Sequence, residues 1–142
     1  MADLTTEQHA RCAELAKRYA ELVPDWAQPG MSLLWPDDPV PWRVVYTAKK
    51  SLCMRNVGEG DEATHSYTCD AVPDWTDACT LGALLLGLGP QVCEHDVAGR
   101  AVSWWPHMGD DAVCTWGPWC DTRAEAILAA CVAAAEATHG NL

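Results

Sequence analysis

The order of elements along the chain predicts an α+β fold. The expected form is a single domain spanning 1–142, a mainly antiparallel sheet packed by about three helices in a sandwich-like arrangement. Three observations carry this. An apolar stripe at helical period opens the chain, a Leu-rich segment in the middle reads as a second helix, and an Ala-rich stripe closes it. Between them, short runs of β-branched and aromatic residues are punctuated by Gly, Pro and Asp. With 142 residues, 49% hydrophobic and 20% charged, the chain is long enough for one core and too apolar for disorder.

The first helix starts at Thr5, with Gln8 at capping-box spacing, and Cys12, Leu15, Ala16, Tyr19, Leu22 and Val23 share one face until Pro24. Pro24, Pro29, Gly30, Pro36, Pro39 and Pro41 then predict an ordered loop over 24–41, without regular elements, that packs Trp26 and Trp35. Segments 42–47 and 52–57 read as a hairpin, 58–66 as an exposed loop and 66–71 as another short strand.

Asp74 or Thr76 is expected to cap a second helix reaching about residue 88. Leu81, Leu84, Leu85 and Leu88 form its stripe, and Gly82, Ala83 and Leu86 leave the rest nearly as apolar, so the helix is expected to be buried all round. Segments 92–95, 100–105 and 113–119 read as strands. Thr122 with Glu125 opens the last helix as a capping box, Ala124, Ile127, Leu128, Cys131, Val132 and Ala135 form its face, and Gly140 stops it.

Residues 72–88, VPDWTDACTLGALLLGL, resemble a segment of small phage and prophage proteins of the ABA-sandwich type. There a Pro-Asp-x-Thr-Asp stretch leads into a Leu-rich helix, followed by a Trp-rich hairpin and a closing Ala/Glu-rich helix. The resemblance covers roughly residues 72–137 and implies an accessory protein of phage or prophage type. That group has no established activity, so the resemblance transfers no catalytic residue.

Nine Lys and Arg against twenty Asp and Glu give a net charge of −11. Sequence-independent contact with nucleic acid or anionic membrane needs the opposite sign, so neither is expected. Residues 1–23 carry charge every few positions, and the longest apolar run, 81–88, is far short of the roughly 20 residues of a membrane span. A soluble, cytoplasmic protein is expected. The charge serves solubility first; its sharper implication is an acidic surface facing a basic protein partner, such as a host protein. Oligomeric state is not legible.

Eight cysteines without an export signal are expected to be mostly reduced and structural, with Cys12, Cys79 and Cys131 on apolar helix faces. Cys93-x-His95 is the best metal candidate, with Cys69, Cys79, Cys114, Cys120 or His107 as further ligands, but the close C-x₂₋₄-C pairs of zinc sites are lacking. The alternative is a buried Cys93 beside a solvent-facing His95. A Cys–His nucleophilic pair has no supporting local signature, and the phosphate-cradling motifs G-x-G-x-x-G and G-x-x-x-x-G-K-[ST] are missing. Asp37-Asp38 and Asp110-Asp111 read as solvated turns rather than paired acids. No metal, cofactor or catalytic residue is expected.

The eight Trp, with no Phe, are the strongest signal. Some must fill core volume. Adjacent Trp104 and Trp105 point to opposite faces of a strand, so an open sheet face exposes one of them. The expected partner-binding patch is Trp104, Trp105, Trp116 and Trp119, rimmed by Asp110 and Asp111. A Trp-lined pocket for a small molecule or nucleotide, with Arg43, Arg55, Arg100 and Arg123 as anion contacts, is the alternative.

Overall fold

Thr5 opens the first helix as expected. Its hydroxyl accepts from the Gln8 N–H at 3.1 Å, and the Gln8 side chain accepts from the Thr5 N–H at 2.9 Å. Two otherwise unpaired donors are thereby satisfied reciprocally. The computed structural model describes residues 4–35, 38–48, 51–56, 63–67, 71–89, 91–105 and 114–140. Helix α1 (Thr6–Leu22) buries Cys12 and Ala16.

The Pro-rich stretch is more regular than its composition implies. It contains β1 (Ser32–Trp35) and the start of β2 (Asp38–Ala48), correcting the expectation of a loop over 24–41. The prolines are tolerated because of where they fall. Pro39 and Pro41 precede Trp42, the first residue of β2 paired with β3 (Ser51–Asn56), so that side asks nothing of them. On the other side the β1 ladder shifts register between Leu33 and Trp35, opposite these two residues. A missing N–H costs little at such an irregularity. As expected, Trp26 is buried and Trp35 packs against the core, with Trp35 edge-on to Trp42 at 6.2 Å.

The hairpin β2–β3 is as expected. Strand β4 (Ala63–Tyr67) comes earlier than the expected 66–71 and takes residues assigned to a loop, because it pairs with β3 from Ser51↔Tyr67 to Arg55↔Ala63. With β5 (Val72–Pro73), these strands form an antiparallel sheet in the order β4-β3-β2-β1-β5. Pro73 lies on its edge strand, where a proline is admissible.

Helix α2 (Ala78–Leu86) is capped by Asp77, not by Asp74 or Thr76. The Asp77 carboxylate accepts from both the N–H and the hydroxyl of Thr80, at 2.9 and 2.7 Å. Asp74 is committed elsewhere. Its carboxylate accepts from the Ser32 hydroxyl at 2.9 Å and from the Thr76 hydroxyl and N–H at 2.6 and 3.0 Å. Ser32 donates its N–H to the Thr80 hydroxyl at 2.7 Å. Ser32, Asp74 and Thr80 are all buried, so this network joins β1 to the start of α2 inside the protein. Leu81, Leu84 and Leu88 are buried, but Leu86 is 80% exposed and Cys79 is exposed. The helix therefore buries one face, not all of them.

Strands β6 (Val92–His95), β7 (Ala101–Trp104) and β8 (Thr115–Trp116) form a second antiparallel sheet in that order. Helix α3 (Arg123–Gly140) packs against α1, α2 and β7, and residues 124–132 are buried without a break. Its alanines let three neighbours approach at once. The Thr122 hydroxyl accepts from the Glu125 N–H at 3.3 Å, but the Glu125 carboxylate accepts from Arg11 on α1 instead of closing the expected capping box. Arg11 also reaches Asp121 at 2.6 Å. One core runs through Cys12, Leu33, Val44, Leu84, Val102, Trp104 and Ile127, so both sheets and all three helices share it. The molecule is α+β, and among the described residues no helix is long and apolar enough to cross a membrane.

Candidate functional site

The register of the small sheet sorts its side chains. Cys93 faces Ser103, His95 faces Ala101, and Ser103 faces Trp116. Cross-strand partners share a face, as do residues two apart on a strand. Cys93, His95, Ala101, Ser103 and Trp116 therefore lie on one side, and Val92, Glu94, Val102, Trp104 and Thr115 on the other. The second side is the inner one: Val102 and Trp104 belong to the core beneath α3. Glu94, at its margin, receives Arg123 from the start of α3 through two hydrogen bonds of 2.5 and 3.3 Å. Gly99 sits under that pair with φ +66°, and a Cβ there would stand 3.0 Å from the Glu94 carboxylate.

The first side carries the aromatic groups. The His95 ring stacks on Trp116 with centroids 3.9 Å apart and planes at 19°. Its Nε2 is 2.7 Å from the Ser103 hydroxyl, which gives that buried group its partner. Trp119 lies 6.5 Å from Trp116, inclined at 30°. Trp116 is 52% exposed and Trp119 60%, and Cys93 is also exposed.

The backbone beneath is firmly held. The Gly117 N–H donates to Val102 O at 2.8 Å, and the Cys120 N–H donates to Arg100 O at 2.8 Å, so 117–120 tracks β7. A Cβ at Gly117 would meet the Ala130 Cβ at 3.3 Å. Glycine there lets the chain press on α3 while Trp116, Pro118 and Trp119 stay exposed.

Of the patch expected from sequence, Trp116 and Trp119 come together at the surface. Trp104 does not join them: it is 3% exposed and fills the core, because its side of β7 is covered by α3. Trp105 is half-buried, and its N–H continues the ladder to Gln91 O at 3.2 Å. Asp110 and Asp111 lie outside the described residues, as do Cys69 and His107. The sequence reads His95 as a metal or thiol partner of Cys93, or as its solvent-facing neighbour; its stacking on Trp116 is new. Alternation along Cys93-x-His95 hinted at a shared face, but the register opposite Ser103 and Trp116 is a tertiary fact.

Cys93 is exposed rather than buried, so the alternative of an inward thiol beside an outward imidazole fails: both residues lie on the outer face. Among the described residues no group of three His, Cys, Asp or Glu could hold a metal ion. Desolvation by burial pushes the Cys12 thiol up to about 11, and the Cys120 and Cys131 thiols to about 12, with the Glu125 hydrogen bond adding to the rise at Cys120. These three stay protonated at neutral pH and are poor nucleophiles. Three of the four arginines considered as anion contacts already hold acids: Arg43 pairs with Asp77, Arg100 with Asp96 and Arg123 with Glu94, while the side chain of Arg55 lies outside the described residues.

The site is thus an aromatic face on a small antiparallel sheet, with Ala101 and Ser103 buried and Cys93, Trp116 and Trp119 exposed, and the sheet's other face is core. No family model, curated protein or solved structure matches the chain.

Proposed function

We propose that the chain is a small acidic accessory protein of phage or prophage type, acting in the cytoplasm by binding a protein partner through Trp116 and Trp119, without catalysis of its own. The observation that carries this reading is the exposure of two neighbouring Trp rings on a rigid backbone. Burying an indole against a partner releases a large apolar area at little entropic cost, and such residues dominate binding energy at interfaces. The ion pairs of Arg43, Arg100 and Arg123 weigh against the nucleotide reading.

The test is affinity capture from bacterial cytosol with the wild-type chain and the Trp116→Ala/Trp119→Ala variant side by side. The proposal expects a partner held by the wild type and lost by the variant, at matched thermal stability. A variant that captures the same partner to the same extent would overturn it.

A further inference from the structure

The patch is aromatic, and the chain as a whole is anionic. The described acids that follow the patch residues in sequence, Asp96 and Asp121, are each held by an arginine of the chain, Arg100 and Arg11, so the charge a partner meets here is that of the whole molecule. Among the described residues, five arginines are held in ion pairs within the chain. Arg11 holds Asp121 and Glu125, Arg18 holds Glu21 and Glu136, Arg43 holds Asp77, Arg100 holds Asp96 and Arg123 holds Glu94. With a net charge of −11, the molecule presents a negative field. A second copy carries the same charge and is repelled. A basic partner is drawn in, and the groups that meet it here are indole faces.

Building on the protein-binding reading above, we infer that the outer face of the β6–β7–β8 sheet takes an arginine-bearing segment of a protein partner, with a guanidinium stacked on Trp116 or Trp119. Indole is the strongest of the aromatic acceptors for a cation, and partial desolvation strengthens the contact. Arginine fits better than lysine because its planar, weakly hydrated guanidinium can stack flat on a ring, whereas an ammonium is a compact and strongly hydrated charge. Trp116 is half covered by His95 on the stacked side and Trp119 stands inclined beside it, so the exposed indole surface accepts a flat group. The net negative charge of the chain adds attraction and speeds the encounter.

The experiment uses the ¹⁵N-labelled full chain and a short acetylated Gly-Arg-Gly-Arg-Gly peptide. Lysine and citrulline counterparts serve as controls; citrulline keeps the planar shape and removes the charge. The indole N–H signals of Trp116 and Trp119 are assigned from Trp116→Phe and Trp119→Phe. The expected result is a saturable shift of these two signals with the arginine peptide, about tenfold weaker affinity with lysine, and no shift with citrulline. Trp119→Ala, on an exposed segment, is expected to weaken arginine binding about tenfold with unchanged melting. Equal binding of the citrulline peptide would overturn the guanidinium assignment and leave the protein-binding patch standing. Shifts confined to other Trp signals, or none, would overturn it as well. The broader reading fails separately, if the captured partner stays bound to the double Trp variant.

Discussion

Two regions of this protein gather polar and aromatic side chains, and they are built in opposite ways. At the start of α2, Ser32, Asp74 and Thr80 are buried, and each hydrogen bond is answered within the chain. On the outer face of the small sheet, His95, Trp116 and Trp119 meet one another, but both indoles remain half exposed or more. The first region is closed: nothing is left for a partner to satisfy. The second is held rigid from beneath and left open above. Buried polar groups are costly unless paired, which suits a structural joint. Exposed indoles cost the folded state little and offer area to a partner. The difference teaches where to look for function in this chain, and the joint of Ser32, Asp74 and Thr80 is not that place.

The comparison breaks first at Asp74. Asp74→Ala leaves the Ser32 and Thr76 hydroxyls and the Thr76 N–H without their acceptor, so a loss of about 3 kcal/mol in urea unfolding is expected. A loss below about 1 kcal/mol would mean the network is not the joint described here.

Gly99→Ala comes next. It forces a left-handed φ on alanine and brings a Cβ to 3.0 Å from Glu94, under the Arg123 pair. About 1–2 kcal/mol is expected, and removing Glu94 in the same chain should recover part of it.

Asp77 sharpens the contrast through pH. Burial pushes its carboxyl up, but the Thr80 hydroxyl and N–H and the Arg43 guanidinium outweigh that and hold it below the ordinary 3.8. A carboxyl lowered on folding adds stability that is present above the unfolded value and lost as pH falls through the folded one. Stability is therefore expected to decline as pH drops below about 4, and Asp77→Asn, with a loss near 1 kcal/mol at neutral pH, should flatten that decline. Urea midpoints taken across the acid range read both effects.

The smallest stability change belongs to the open face. Trp116→Ala/Trp119→Ala should cost about 1 kcal/mol or less, because surface substitutions leave the core intact. Trp104→Ala, at the opposite extreme, should cost about 3–5 kcal/mol, as expected for emptying a buried indole site.

Much of the fold was legible because its signals are local. The Thr5–Gln8 box, the 42–57 hairpin and strand 92–95 each follow from spacing within a few residues, whereas α3, expected to bury one stripe, is buried on every side over 124–132. The misreadings share a different origin. Pro39 and Pro41 looked incompatible with a strand until the shifted ladder opposite them was known. Asp74 and Asp77 are equally good caps on paper, and only the proximity of Ser32 assigns Asp74 to the joint. Leu86 looked buried because a sequence cannot say how many sides of a helix are covered. The patch was half legible for the same reason: eight Trp announced exposed rings somewhere, but separating Trp104 from Trp116 needed α3 laid across one face of β7.

The central claim is that this chain binds by its outer aromatic face and is held together elsewhere. The most direct measurement is the affinity of the captured partner for three chains: the wild type, Trp116→Ala/Trp119→Ala, and Leu86→Ser, which alters an exposed apolar residue on α2. The account predicts about a hundredfold weaker binding for the Trp pair and an unchanged affinity for Leu86→Ser. Full affinity in the Trp pair, or a loss confined to Leu86→Ser, would contradict it.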